Sequence, residues 1–136
     1  MIRRALVVWV AIIVVETIHG VIRQTFIAPA VGDLPARQIG VFVGSVLILV
    51  IAWLFADWLR ANSFKSRLVV GLLWGLLTLA FELLLGLALG YSAQRIIADY
   101  DLGQGGFMLF GMIVLAFSLV IVSKFRALKY RSSRQD

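Results

Sequence analysis

Cysteine is absent from this chain, and histidine occurs once, at position 19. The first absence excludes disulfides, thiolate metal centres, iron–sulfur clusters and cysteine nucleophiles. The second excludes a zinc site built from several histidines of one chain. Charge is scarce too: Asp, Glu, Lys and Arg make up 15% of the 136 residues, where soluble domains carry roughly a quarter. Nucleophile-elbow, Walker, dinucleotide and His-Glu-x-x-His patterns are all missing. The chain therefore reads as non-enzymatic, with no cofactor.

What is present is hydrocarbon. Hydrophobic residues are 62% of the chain and mean hydropathy is +1.00. Four apolar runs, 5–27, 39–59, 68–90 and 107–123, each approach the roughly 20 residues that cross a bilayer as a helix. Lipid offers the backbone no hydrogen-bond partner, so the runs should be helical. The expected fold is all-α, a single-domain four-helix integral membrane bundle over 1–136 with a short basic tail at 124–136. Arg3 and Arg4 ahead of ALVVWVAIIVV resemble the start of a signal peptide, but no small-residue cleavage site follows promptly, so a retained helix is expected.

The net charge of +6 sits beside apolar spans, as anionic headgroups and topology require, and no nucleic-acid partner is implied. Ten Lys and Arg (Arg3, Arg4, Arg60, Lys65, Arg67, Lys124, Arg126, Lys129, Arg131, Arg134) fall on one side of the four-span arrangement. Three (Arg23, Arg37, Arg95) fall on the other. By the positive-inside rule both termini are expected in the cytoplasm of a bacterial inner-membrane protein. Both prolines lie in APAVGDLPARQ, which reads as a turn-rich outer loop. In the second outer connection, SAQRIIADY suits a short interfacial helix. DYDLGQGG, which superficially resembles a calcium loop, lacks the third oxygen ligand and the final Glu, so it reads as a solvated turn. Of the four tryptophans, Trp58 is the clearest candidate for the interfacial belt. Asp57 and Arg60 suit an interfacial pair, and Gly40 with Gly44 suggests close helix packing.

The chemistry concentrates in VVETIHGVIRQ. At about 100° per residue, Glu16, His19 and Arg23 share one stripe of the first span. On the third span Gly71, Gly75, Thr78, Glu82, Gly86 and Gly90 share another, with small residues that permit close approach. An isolated charge at a helix centre costs about 2.5–3.5 kcal/mol, so Glu16, His19, Arg23 and Glu82 are expected to meet as one polar cluster that binds a proton or small ligand. Three readings stand beside a purely structural ion pair. Glu16 can serve a proton-coupled small-molecule or ion transporter. Glu16-x-x-His19 with Glu82 can supply half of a dimeric carboxylate metal site, although Arg23 one turn away opposes a cation. Arg23 with Arg37 can receive an anion or lipid headgroup.

Around Glu16, AIIVVETI resembles small multidrug resistance transporters, which also have four helices and a membrane-embedded Glu on the first. That likeness implies proton-coupled export. The aromatic and glycine motifs of their later helices are not evident here, and the ten-to-three charge bias differs from their dual topology. Across most of the chain, ETIHGVIR, LLWGLLTLAFELLLG and ADYDLGQGG look like uncharacterised four-helix proteins of bacterial inner membranes, a resemblance that carries no activity. The resulting expectation is an accessory or ligand- and proton-binding component, in contact with the bilayer and self-associating as a homodimer or within a larger complex.

Overall fold

The computed structural model describes residues 1–134. Its four long helices are α1 (Ile2–Ile22), α3 (Asp33–Leu59), α4 (Phe64–Ala88) and α6 (Met108–Ser132). Shorter pieces are a π turn at Arg23–Ile27, α2 (Ala28–Val31), α5 (Ala93–Ala98) and a 3-10 turn at Leu102–Gln104. No strand occurs among the described residues. The fold is all-α, and all four long helices have the length and composition to span a membrane. Their outer faces support this: Val7, Val10, Val14 and Val21 are exposed on α1, and Phe42, Val46, Val50 and Leu54 on α3. Apolar side chains at helical spacing on an outer surface are suited to lipid rather than water.

The helices run up and down. α1 packs against α3 and α4, and α6 packs against the same two, so α1 and α6 stand across the bundle from each other. One end of the bundle, here termed proximal, carries residue 1 and the connection 60–63. The distal end carries Gly32 and the connection 89–107.

The stretch with both prolines is not the expected loop. Pro35 lies in the first turn of α3, where a missing N–H has no partner to lose, whereas Pro29 lies within a helical run continuous from Ile2 to Val31. The reversal is made by one residue, Gly32, at φ +94°, a conformation that favours glycine. The π turn ends just before Pro29, with the Ala28 N–H reaching Arg23 O. A wider turn relieves the clash between a proline ring and the carbonyl four residues earlier. At the proximal end, Ser63 and Ser66 form a reciprocal capping box that starts α4. The fourth span also outruns its expected limit at 123, remaining helical to Ser132; Gln135 and Asp136 of the basic tail lie outside the described residues.

The core occupies one half only. Ala5, Val8 and Ile12 of α1 pack with Ile48, Ile51, Ala52 and Leu59 of α3, Val70 and Trp74 of α4, and Leu115, Leu119 and Val122 of α6. The set reaches from the proximal end up to Ile12, Ile48, Trp74 and Leu115. Trp74 is fully buried rather than interfacial, and its indole N–H donates to Ala5 O at 2.8 Å. Trp9 donates to Thr78 Oγ1 at 3.0 Å. These two bonds join α1 to α4. Trp58 does sit at a helix end, with the Arg4 guanidinium 5.4 Å from its ring centroid. Asp57 accepts from Arg126 at 2.7 Å, so its partner is on α6 and not the neighbouring Arg60, which ends α3 in the left-handed conformation.

The small-residue stripe of α4 divides among neighbours. A Cβ at Gly71 would overlap the carbonyl oxygen of Ala116, whereas one at Gly75 would meet nothing within 4 Å. Gly71→Ala is therefore expected to force α4 from α6 and destabilise the protein by about 1–3 kcal/mol or more, while Gly75→Ala, one turn on, should be near neutral. Thermal unfolding of the two variants in one detergent checks this.

Candidate functional site: a polar cavity in the distal half

Past Ile12, Ile48, Thr78 and Leu115 the bundle stops being solid. A cavity of about 460 Å³ opens there and extends to the distal connection. Glu16, His19 and Arg23 line it from α1 and its π turn, Arg37 from α3, Glu82 from α4, and Arg95, Asp99 and Tyr100 from the distal connection. The four residues expected from the sequence thus border one space. Arg37, Arg95, Asp99 and Tyr100 were not among them as a group, because only the chain's return over the bundle brings them there.

Two glycines of α3 make room for the α1 side chains. A Cβ at Gly40 would come within 2.7 Å of Arg23 Cδ, and one at Gly44 within 2.8 Å of Glu16 Oε2. Expected as helix-packing residues, they instead leave a trough in which Arg23 and Glu16 lie. His19 Nδ1 faces Glu16 Oε2 at 3.4 Å, as the i, i+3 spacing allows.

Pairing within the group differs from the expected ion pair. Among the described residues Arg23 forms no salt bridge with Glu16 or Glu82, and Glu82 joins none at all. Glu16 Oε1, His19 Nε2, Arg23 Nε and Tyr100 Oη are buried without a hydrogen-bond partner in the protein. All four belong to residues that line the one cavity.

Residues 91–107 cover the distal opening. Arg37 bonds Asp99 and, at 3.1 Å, Asp33; Arg95 bonds Asp33 at 3.0 Å. Gln38 donates to Gly105 O at 2.9 Å, and the Asp99 carbonyl accepts from Met108 N–H at 3.0 Å. Within DYDLGQGG, Asp101 accepts from Gly103 N–H at 2.9 Å and from the Gln104 amide at 3.0 Å. Its aspartates thus serve a turn and an ion-pair network. No group of three His, Asp or Glu able to hold a metal exists among the described residues.

Comparison with protein-family models, curated proteins and solved structures gives no match to this chain.

Outside the spans, burial pushes the Tyr100 phenol up to about 12, helped by the negative charges of Glu82 and Asp99. An acid whose folded value is raised adds its stabilisation below the unfolded value of about 10 and loses it as pH climbs through the folded one. Alkaline titration should show a tyrosinate absorbance step near pH 12 that Tyr100→Phe removes. The same variant should hold its stability further into alkali and lose nothing at neutral pH, because the hydroxyl has no partner to forfeit.

Proposed function

We propose that this chain is a single-domain, non-enzymatic component of a bacterial inner membrane that binds a small polar solute, or a proton, in the distal cavity. Glu16, His19, Arg23 and Glu82 form the binding wall, and both termini are cytoplasmic, so the cavity faces the outside. The observation that carries the reading is the division of one bundle into a packed proximal half and a polar, hollow distal half. A cluster serving only to pin helices would be expected to close into ion pairs, as it does at the distal opening. On the wall itself Arg23 and Glu82 stay apart, and α1 is joined to α4 by indole hydrogen bonds deeper down.

Access from outside is the directly testable part. The cysteine-free sequence makes single-cysteine labelling clean. Ser45 lines the cavity, whereas Ser118 is fully buried in the packed half. In intact spheroplasts, Ser45→Cys should react with a membrane-impermeant cationic methanethiosulfonate, and Ser118→Cys should react only after unfolding. A Ser45→Cys protein that labels from the cytoplasmic side alone, or only when unfolded, would remove the reading.

A further inference from the structure

We infer that the distal cavity is open sideways to the bilayer between α1 and α4, and that its occupant is a phospholipid whose headgroup enters through this gap while its acyl chains stay outside; this rests on the binding reading above and names the solute. The two helices run in the same direction, and the bonds that join them set their register. The Trp74 indole meets Ala5 O and the Trp9 indole meets Thr78, each pair 69 positions apart. The same offset sets Leu85 level with Glu16, and Leu89 level with Gly20. Trp74, Thr78, Leu85 and Leu89 lie along one stripe of α4, yet burial changes along it: Trp74 is 0% exposed and Thr78 8%, whereas Leu85 is 38% and Leu89 60% exposed. On the facing stripe of α1, a Cβ at Gly20 would meet nothing within 4 Å. The helices touch in the proximal half and leave a gap in the distal half.

The other walls are closed. The cavity-lining residues of α3 from Arg37 to Ile48, and of α6 from Met108 to Leu115, are all buried or half-buried. On α1 and α4, by contrast, Thr17, Val21, Gln24, Leu85 and Leu89 line the same space and are exposed. This seam lies within the apolar length of both helices, so the medium beside it is hydrocarbon. A ligand that occupies both cavity and seam therefore needs a polar part for the first and an alkyl part for the second. The rim carries the same division, with Val21, Leu85 and Leu89 suited to methylenes and Thr17 and Gln24 to polar atoms. Inside, the N–H at Arg23 Nε has no acceptor in the protein. A guanidinium keeps its charge at any ordinary pH, and phosphate oxygens are acceptors that fit its fork. A free phosphate ion has no part to place against Leu85 and Leu89, so the seam favours a lipid as the source of that phosphate.

The test traps the headgroup covalently, which the absence of native cysteine makes clean. The full chain is placed in phosphatidylcholine nanodiscs containing a minor share of a phosphatidylethanolamine that bears a maleimide directly on its amine. Ser45, in the cavity, lies about 18 Å along α3 from Asp33 at about 1.5 Å per residue, and its neighbour Val46 is exposed on the outer face at nearly the same depth. Ser45→Cys should gain the mass of one lipid, and Val46→Cys should gain none. Adding Gly20→Phe, which fills the gap, should stop the lipid adduct at Ser45→Cys while the water-borne methanethiosulfonate still reacts there. Equal lipid adducts on Val46→Cys overturn the inference, as does an adduct that Gly20→Phe leaves unchanged. If Gly20→Phe does not fold, Gly20→Leu takes its place. Reaction of Ser45→Cys with the water-borne reagent and never with the lipid would overturn the phospholipid and leave the cavity; reaction with neither would overturn the cavity itself.

Discussion

Ionisable side chains on a helix surrounded by hydrocarbon have to turn inward, and once inside they need space that packed helices do not offer. Glu16, His19 and Arg23 sit on one stripe of α1 and impose that requirement over two turns of the bundle. The neighbouring helix meets it with absent side chains, since Gly40 and Gly44 of α3 stand where a methyl group would strike Arg23 or Glu16. The long polar side chains lie directly against these glycines, and the cavity opens beside them in the distal half.

The remaining structure divides according to this constraint. Where α1 carries Ala5, Val8 and Ile12, its partners can interlock in the manner of any protein interior. Hydrophobic transfer gives little drive between helices already in lipid, so close packing and hydrogen bonds have to hold them. Gly71 against the Ala116 backbone supplies the first, and the indoles of Trp74 and Trp9 supply the second. At the distal end the helices are spanned from above, by residues 91–107 tied through Arg37, Arg95, Asp33 and Asp99. Those ion pairs lie at the expected membrane boundary, where exposed pairs are individually weak.

Much of this was legible in one dimension. Apolar length announced four helices, and helical periodicity placed Glu16, His19 and Arg23 on one face of the first. What was not legible depended on neighbours. The trough at Gly40 and Gly44 has the same sequence signature as a packing motif, and only the side chain lying across from it tells the two apart. The prolines at 29 and 35 signalled a loop because proline ends helices; here Pro35 falls in a first turn, where it is tolerated, Pro29 follows a π turn that makes room for it, and Gly32 alone makes the break. Arg37, Arg95, Asp99 and Tyr100 join the site through contacts some sixty residues apart in the chain, as in the Arg37–Asp99 bond, and no local pattern encodes such a distance.

The separation of a dry half from a polar half also bears on why the wall can carry so many unmet hydrogen bonds. In a uniformly packed four-helix bundle, an orphaned carboxylate oxygen or guanidinium nitrogen would compete directly with the contacts that hold the fold. In this one the interlocked residues end at Ile12, Ile48 and Leu115, and the orphaned atoms of Glu16, His19, Arg23 and Tyr100 begin beyond them. Those atoms lie beyond the interlocked residues, so adding or removing a charge there changes the electrostatic balance of the cavity without opening the core. Ionisable groups on membrane-spanning helices are costly to expose to lipid. Confining them to one end of the bundle, under a cover fastened by ion pairs, lets chemistry and stability occupy different lengths of the same four helices.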